Sequence, residues 1–557
     1  MIDRKTRCAL AAGLGMTIFA SGAGATEFRF GELTGSFDST ATAGVIIRAA
    51  QRDCRLVGTT NGGCNPNATN RDDGNLNFER GDIVSAPVAM SHDLDLEWRN
   101  FGAFVRVHYF YDAVLNDADS TRRTDLADAA RERAGRGFEL LDAYVYGLFD
   151  IAGMPTDIRL GNQVVNWGES LFTQGGINAT NPIDVAKVHQ AGSELKVATL
   201  PTPMARISSL LPGGFSVEAY YQFTWEKTEL DPVGSFFSQG DLTGDGTQGF
   251  FFGSDPGAIG NAAFASSMPK TASKEPRNSG QWGTALRYFV EDWSAEFGLY
   301  YLRYHSKTPI LGVTAQRIPF PPFTRPVGYY EEYAEDIDLY GASFNTQLFG
   351  SSIGGEVSYQ PDFPAPLDFA STVAFARGNA AAGPLGGFYS QSGVVEVEKW
   401  QAALTSISSF GPSDGIAGRA IDALGALNGT LSGELVGNLY PDLDPTVPYA
   451  VPDSKSRPTE RAWGYRLAAS LAYPEAFGTA VTLTPTVAFR HDVSGTQPNN
   501  PNGATLIDDR KIVTLGVGAA YLDHWRAAIS YTNNFGAGGD DLLSDRDFVD
   551  ISISYSF

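Results

Sequence analysis

The chain closes on Asp547-Phe548-Val549-Asp550-Ile551-Ser552-Ile553-Ser554-Tyr555-Ser556-Phe557. From Val549 onward every second residue is apolar, and aspartate or serine fills the positions between. Side chains of a strand point alternately to two faces, so this stretch predicts a strand with one apolar and one polar face. Val549, Ile551, Ile553, Tyr555 and Phe557 are expected to face lipid. Asp550, Ser552, Ser554 and Ser556 are expected to face an aqueous interior. The strand should close a barrel by pairing with residues 524–535 and with a first strand near Gly35–Arg48, and Tyr555 and Phe557 are candidates for the signal that barrel-assembly machinery reads.

The same alternation recurs along the chain. Leu94, Leu96 and Trp98 alternate with Asp93, Asp95 and Glu97; Phe215, Val217, Ala219, Tyr221 and Phe223 alternate with Ser216, Glu218, Tyr220, Gln222 and Thr224. The segments run about 9–13 residues, the span of a tilted transmembrane strand, where soluble strands average about 5–6. Tight turns such as Arg99-Asn100, Pro212–Gly214 and Glu291-Asp292 alternate with long loops such as 50–84, 168–202 and 227–280. That regularity belongs to outer-membrane barrels, with short periplasmic turns and long extracellular loops. Strands are expected to begin near 34, 85, 101, 138, 156, 203, 215, 281, 293, 336, 351, 394, 428, 462, 478, 509, 524 and 547. The predicted fold is all-β, an antiparallel up-and-down transmembrane barrel of about 18 strands, with 16 as the alternative. Asp125–Arg136 predicts a short loop helix with Leu126, Ala129 and Ala130 on one side.

The N-terminus fits export. Arg4, Lys5 and Arg7 precede an apolar run from Ala9 to Ala20 and a small-residue site at Ala23-Gly24-Ala25. Residues 1–25 are expected to be a cleaved signal peptide and residues 26–557 a single barrel domain in the outer membrane of a Gram-negative bacterium. Mean hydropathy is only −0.15, because lipid-facing and lumen-facing residues cancel. The 62 glycines and 23 tyrosines suit turns and interfacial aromatic girdles. A net charge of −22 argues against a nucleic-acid partner. Expected partners are lipid and lipopolysaccharide, the assembly machinery, and a periplasmic or export-pump protein. Cys54 and Cys64 share a loop rich in Asn, Gly and Thr, with no histidine nearby. In an oxidising compartment they are expected to form a disulfide rather than bind metal.

Several spaced motifs resemble the proteobacterial outer-membrane proteins of domain-of-unknown-function family 1302 (DUF1302). They are Asp72-Asp73-Gly74-Asn75-Leu76-Asn77-Phe78, Asn100–Arg106, Gly161-Asn162-Gln163-Val164-Val165-Asn166-Trp167-Gly168-Glu169-Ser170, Asn181–Asp184, Gly192–Lys196, Arg490–Gly495 and Asp545-Arg546-Asp547-Phe548. The resemblance covers nearly all of the mature chain. It implies an outer-membrane location and no defined substrate; such proteins are often thought to accompany export or lipid-trafficking pumps or the breakdown of hydrophobic compounds.

The densest polar segment is 162–202. Asn166, Trp167, Glu169, Ser170, Asn181 and Asp184 are expected to fold into the lumen and form a constriction, or else to knit the loop to the wall. Arg106, Glu218, Arg287, Glu296, Arg466 and Arg490 are expected to face the lumen, either setting a transverse field or forming wall-to-wall salt bridges. His491-Asp492 with Ser494 invites comparison with a hydrolase, but His491 falls on the opposite strand face and no Gly-x-Ser-x-Gly elbow occurs. No catalytic residue, cofactor or metal site is expected. The aromatic tracts Pro319–Tyr333 and Phe363–Phe369 are expected to offer an opening to an apolar ligand, or to be loop packing. The expected function is passive passage of small organic, even hydrophobic, solutes. The alternative is a structural or accessory part of an export or lipid-trafficking assembly with no open pore.

Overall fold

The structure, a computed structural model, describes residues 26–117, 120–252, 267–451, 457–498, 506–522, 524–538 and 541–557. The expected signal peptide lies outside the described residues. Eighteen antiparallel strands form a closed ring. They are β1 (Leu33–Arg48), β2 (Pro87–Trp98), β3 (Phe101–Asp112), β4 (Arg136–Ile151), β5 (Met154–Gln163), β6 (Thr202–Leu210), β7 (Phe215–Gln222), β8 (Trp282–Val290) and β9 (Ala295–Tyr304). The ring continues with β10 (Ile337–Leu348), β11 (Ser351–Pro366), β12 (Val394–Phe410), β13 (Asn428–Leu439), β14 (Arg461–Ala476), β15 (Val481–Ser494), β16 (Lys511–Tyr521), β17 (Trp525–Phe535) and β18 (Phe548–Ser556). Each pairs with its sequence neighbours, and β18 returns to β1 with Thr40 opposite Ser556 and Arg48 opposite Phe548. Closure leaves the ring no unpaired edge. Every expected strand is present, within about three residues of its expected start.

Alternation sorts the two faces. Leu299 is 62% exposed on the outside while Tyr300, next in sequence, is 6% exposed and packs inward. Leu515, Val517 and Ile529 are likewise exposed. An apolar belt this extensive requires cover other than water. Aromatic rings border it at both ends. At the long-loop end Trp282, Tyr301, Tyr340, Tyr359 and Trp400 form a ladder across β8–β12, with centroids 4.4–6.5 Å apart. At the short-turn end Trp98 and Phe101, Phe215 and Tyr288, and Trp525 and Tyr555 make comparable pairs.

The connections are less regular than the alternating scheme predicts. At the short-turn end, the link from β12 to β13 carries a helix, Gly415–Ala423, in place of a tight turn. At the long-loop end, strands Ile310–Arg317, Thr324–Glu332 and Phe388–Gln391 form a small sheet. A helix, Phe369–Ala382, lies on it through Ala376 and Ala380, which meet Val313, Ala315 and Tyr329. Asp368 caps that helix by accepting from Ser371 N at 3.0 Å. Most of the aromatic tract Pro319–Tyr333 is therefore sheet packing, with Tyr329 and Tyr330 buried, although Phe320 stays exposed. The loop helix at Asp128–Ala134 is present; Ala130 and Ala134 are buried, whereas Ala129 is exposed.

Candidate functional site

The segment between β5 and β6, residues 164–201, does not project from the barrel. It enters the lumen and runs along the inner wall. Val165, Trp167 and Ile177 bury themselves against inward residues of β7–β10, including Tyr220, Ala285, Tyr300 and Leu339. Trp167 Nε1 donates to Glu218 on β7 at 2.9 Å, and its ring lies 5.1 Å from that of Tyr220. A Cβ at Gly283 would fall 2.8 Å from the Trp167 ring, so a larger residue there would displace the indole.

Two wall carboxylates hold the next turn. Glu356 on β11 accepts from Glu169 N at 2.6 Å and Ser170 N at 3.1 Å. Glu434 on β13 accepts from Ser170 Oγ at 3.0 Å, Leu171 N at 2.7 Å, Phe172 N at 2.9 Å and the hydroxyl of Thr173. Glu169 itself accepts from Asn345 Nδ2 at 2.8 Å, and burial raises its carboxyl above the usual carboxylate range. The segment then turns back, with Asn181 clasping Val165 through its side-chain N and O at 2.6 and 3.1 Å. Its second half lies against the other side of the ring. Ala191 fills the space beside Gly44 of β1, Gly192 meets Ser552 of β18 and Thr42 of β1, and Lys187 pairs with Glu139 of β4.

Asp184 is fully buried, accepts from Lys187 N and sits 3.5 Å from Arg133. Burial raises its carboxyl despite these cations. Asp184 thus belongs to the loop's internal support, and Asn166 is exposed with no wall contact among the described hydrogen bonds. Neither lines the cavities described below, whereas Asn181 lines the smallest.

The six charges expected in the lumen all point inward, and all are paired. Arg106 bridges Asp93, through two bonds of 2.8 Å, and Asp142 at 2.9 Å. Glu218 binds Arg206 at 2.6 Å and Arg287 at 3.2 Å; Arg287 lies 3.9 Å from Glu296. Arg466 is 3.6 Å from Glu434, and Arg490 grips Asp492 through two bonds of 3.0 Å. Asp492 also binds Arg510, which the sequence reading did not single out. The wall-to-wall pairing anticipated from sequence accounts for most of these charges. The cluster of Arg466, Arg490 and Arg510, paired with Glu434 and Asp492, also borders open space.

Three cavities with shared lining residues lie toward the long-loop end of the lumen. The outermost, about 780 Å³, is lined by Phe250, Phe251, Phe252, Phe369, Val447 and Tyr449. It shares Asn70, Arg71, Leu242, Asp368, Phe369 and Val451 with the next, of about 600 Å³. That middle chamber lies between Phe172, Thr173 and Val188 of the inward segment and the three arginines of the opposite wall. It shares Gln174, Thr228, Ile310 and Pro366 with a third chamber of about 110 Å³.

Cys54 and Cys64 are joined in a disulfide at the rim. Beside it, two motifs far apart in sequence meet on one buried arginine. Arg48 donates to Asn75 O, Phe78 O and Asn75 Oδ1 at 2.8–3.0 Å and pairs with Asp545 at 3.2 Å, while Asn75 Nδ2 donates to Asp545 at 2.8 Å. Asp72, Asp73 and Asp241 lie close together nearby and are buried.

A family model described as "Protein of unknown function (DUF1302)" matches residues 6–557. Curated proteins give no match. Solved structures similar to this chain include a BenF-like porin from Pseudomonas fluorescens Pf-5, at 11% identity and a TM-score of 0.41, covering 94% of this chain and 98% of that one. OccAB3 of Acinetobacter baumannii has 8% identity and a TM-score of 0.42, covering 94% and 99%. The outer membrane protein opdK of Pseudomonas aeruginosa has 8% identity and a TM-score of 0.42, covering 94% and 98%. The barrel itself rests on its own strand register.

Proposed function

This chain belongs to the DUF1302 family, and from its geometry we propose that it is an outer-membrane channel through which small organic solutes pass passively. The observation that carries this reading is the run of adjoining cavities from the long-loop mouth to the inward segment 164–201. The apolar belt between two aromatic girdles supports placement in a membrane, since tyrosine and tryptophan favour the headgroup level. The long loops then face outward from the cell and the short turns face the periplasm. The inward segment is the constriction, with Glu169, Ser170 and Trp167 anchoring it rather than touching solute. Phe250, Phe251, Phe252 and Phe369 give the outer chamber an apolar lining suited to solutes with a hydrophobic part.

A second reading is an accessory component of an export or lipid-trafficking assembly without an open pore. It is favoured by the segment's anchorage on two sides of the lumen, which leaves little freedom to open. Recording from the refolded protein in planar bilayers separates the two. The channel reading expects discrete single-channel steps, reduced by an aromatic solute added from the loop side. Silent bilayers containing protein shown to be folded would overturn it.

A further inference from the structure

We propose that the smallest of these chambers, between the inward segment and β9, β11, β12 and β13, binds a small oxyanion, principally a carboxylate, through Lys307 and Lys399. This site stands whether or not the barrel conducts.

The two lysines are 7% and 6% exposed and both line the chamber. Lys307 Nζ donates to Gln281 Oε1 at 2.6 Å, and Lys399 Nζ donates to Gly175 O at 3.0 Å while lying 4.7 Å from the centre of the Phe363 ring. Each ammonium carries three donors. Among the described residues no carboxylate approaches either within ion-pair distance, and no aspartate or glutamate lines the chamber. Two buried cations without a counter-ion are costly. They are the more notable in a chain of net charge −22, whose other buried lumen arginines all have carboxylate partners.

The remaining lining fits an oxyanion. Gln360 Oε1 and Asn438 Oδ1 are buried without a partner. Gln360 Nε2 contacts Tyr304 OH at 2.7 Å, and because that hydroxyl can donate or accept, the amide can turn to offer N–H instead. The amide ends can therefore donate to anion oxygens or accept from a hydroxyl beside the carboxylate. At about 110 Å³ the chamber is smaller than the cavity of about 150 Å³ that holds benzene in an engineered protein, so it takes only a few heavy atoms. Gln174, Thr228, Ile310 and Pro366 border both this chamber and the middle one, which gives a route in.

Calorimetric titration of the detergent-folded protein with sodium acetate, sodium lactate and sodium phosphate, at constant ionic strength, tests the site. Saturable binding of one anion per chain is expected for at least one of the three, and which one binds distinguishes a carboxylate from an inorganic source. Lys307→Met and Lys399→Met should each weaken that binding about tenfold, as loss of a charge-assisted hydrogen bond would. The double variant should abolish it. A heat-dependent gel shift verifies that each variant is folded, and a rise in the wild-type unfolding midpoint with the bound anion provides a readout independent of the variants. No saturable binding and no midpoint rise in the wild type would overturn the site, as would full affinity in the double variant.

Discussion

Phe557 and Ser39 exchange backbone hydrogen bonds: Ser39 N donates to Phe557 O at 2.7 Å, and Phe557 N donates to Ser39 O at 2.8 Å. The last residue of the chain thus completes the seam between β18 and β1. Its ring stacks on Tyr555 at 5.7 Å, and Tyr555 leans on Trp525 of β17 at 4.6 Å. Deleting Phe557 removes both bonds and the rim aromatic, while the lumen cavities lie far along the strands. Assembly into the outer membrane should fall several-fold, and the protein that does assemble should conduct as the wild type does. Heat-dependent gel shifts on membrane fractions measure the first and bilayer recording the second. A normal assembled yield would sink the idea.

The seam was legible because alternation, strand length and turn position all follow from local sequence. Val549 to Phe557 could be assigned to faces by period alone, and the structure puts Ser552 against Gly192 inside while Ile551 is exposed outside. The loops were less legible because their order comes from contacts distant in sequence. Arg48 joins Asn75 to Asp545, and no local pattern announces that meeting. The helix Phe369–Ala382 carried a signal, an Asp368 cap before an alanine-rich run, but no helix was expected there. The inward path of 164–201 was anticipated from its polar density; the part played by Glu356 and Glu434 was not. Those glutamates occupy polar positions like many others on the wall, and only the folded loop gives them their donors.

Glu434 tethers four consecutive residues of the inward segment, from Ser170 to Thr173. Hydrogen bonds to a charged group each contribute roughly 1.5–3 kcal/mol, though not additively. Glu434→Gln keeps the size and removes the charge, so Phe172–Gln174 should loosen where they border the middle chamber. Single-channel conductance should increase and become noisier, and the thermal midpoint should fall. Unchanged conductance with an unchanged midpoint would show that the tether does not set the width of the passage.

The Cys54–Cys64 bond closes a short loop at the rim, with a sequence separation of 10. A loop of that size is worth about 3 kcal/mol in lost chain entropy, felt locally because the barrel wall lies elsewhere. Cys54→Ser with Cys64→Ser, or reduction, should make residues 50–72 sensitive to added protease. The barrel itself should keep its resistance to SDS. Global loss of the heat-dependent gel shift would contradict a local role.

Burial pushes the Lys307 ammonium down to about 7, from an ordinary value of 10.5. Glu226, exposed and beyond ion-pair distance, pulls weakly the other way, while Lys399, Tyr304 and Tyr440 are the other titratable groups around the chamber. Below pH 7 the lysine is protonated in both folded and unfolded chains. Between about 7 and 10.5 the unfolded chain binds the extra proton, so raising pH through that window stabilises the folded barrel. Lys307→Met removes the buried charge altogether. In carboxylate-free buffer the variant should be more stable than the wild type at pH 7, and the gap should narrow by up to roughly 2–3 kcal/mol by pH 9, at about 1.4 kcal/mol per pH unit. Urea unfolding of both proteins at the two pH values measures it. A gap that stays constant would mean that Lys307 titrates near its ordinary value, and that an acidic group or water already balances it in the folded chain.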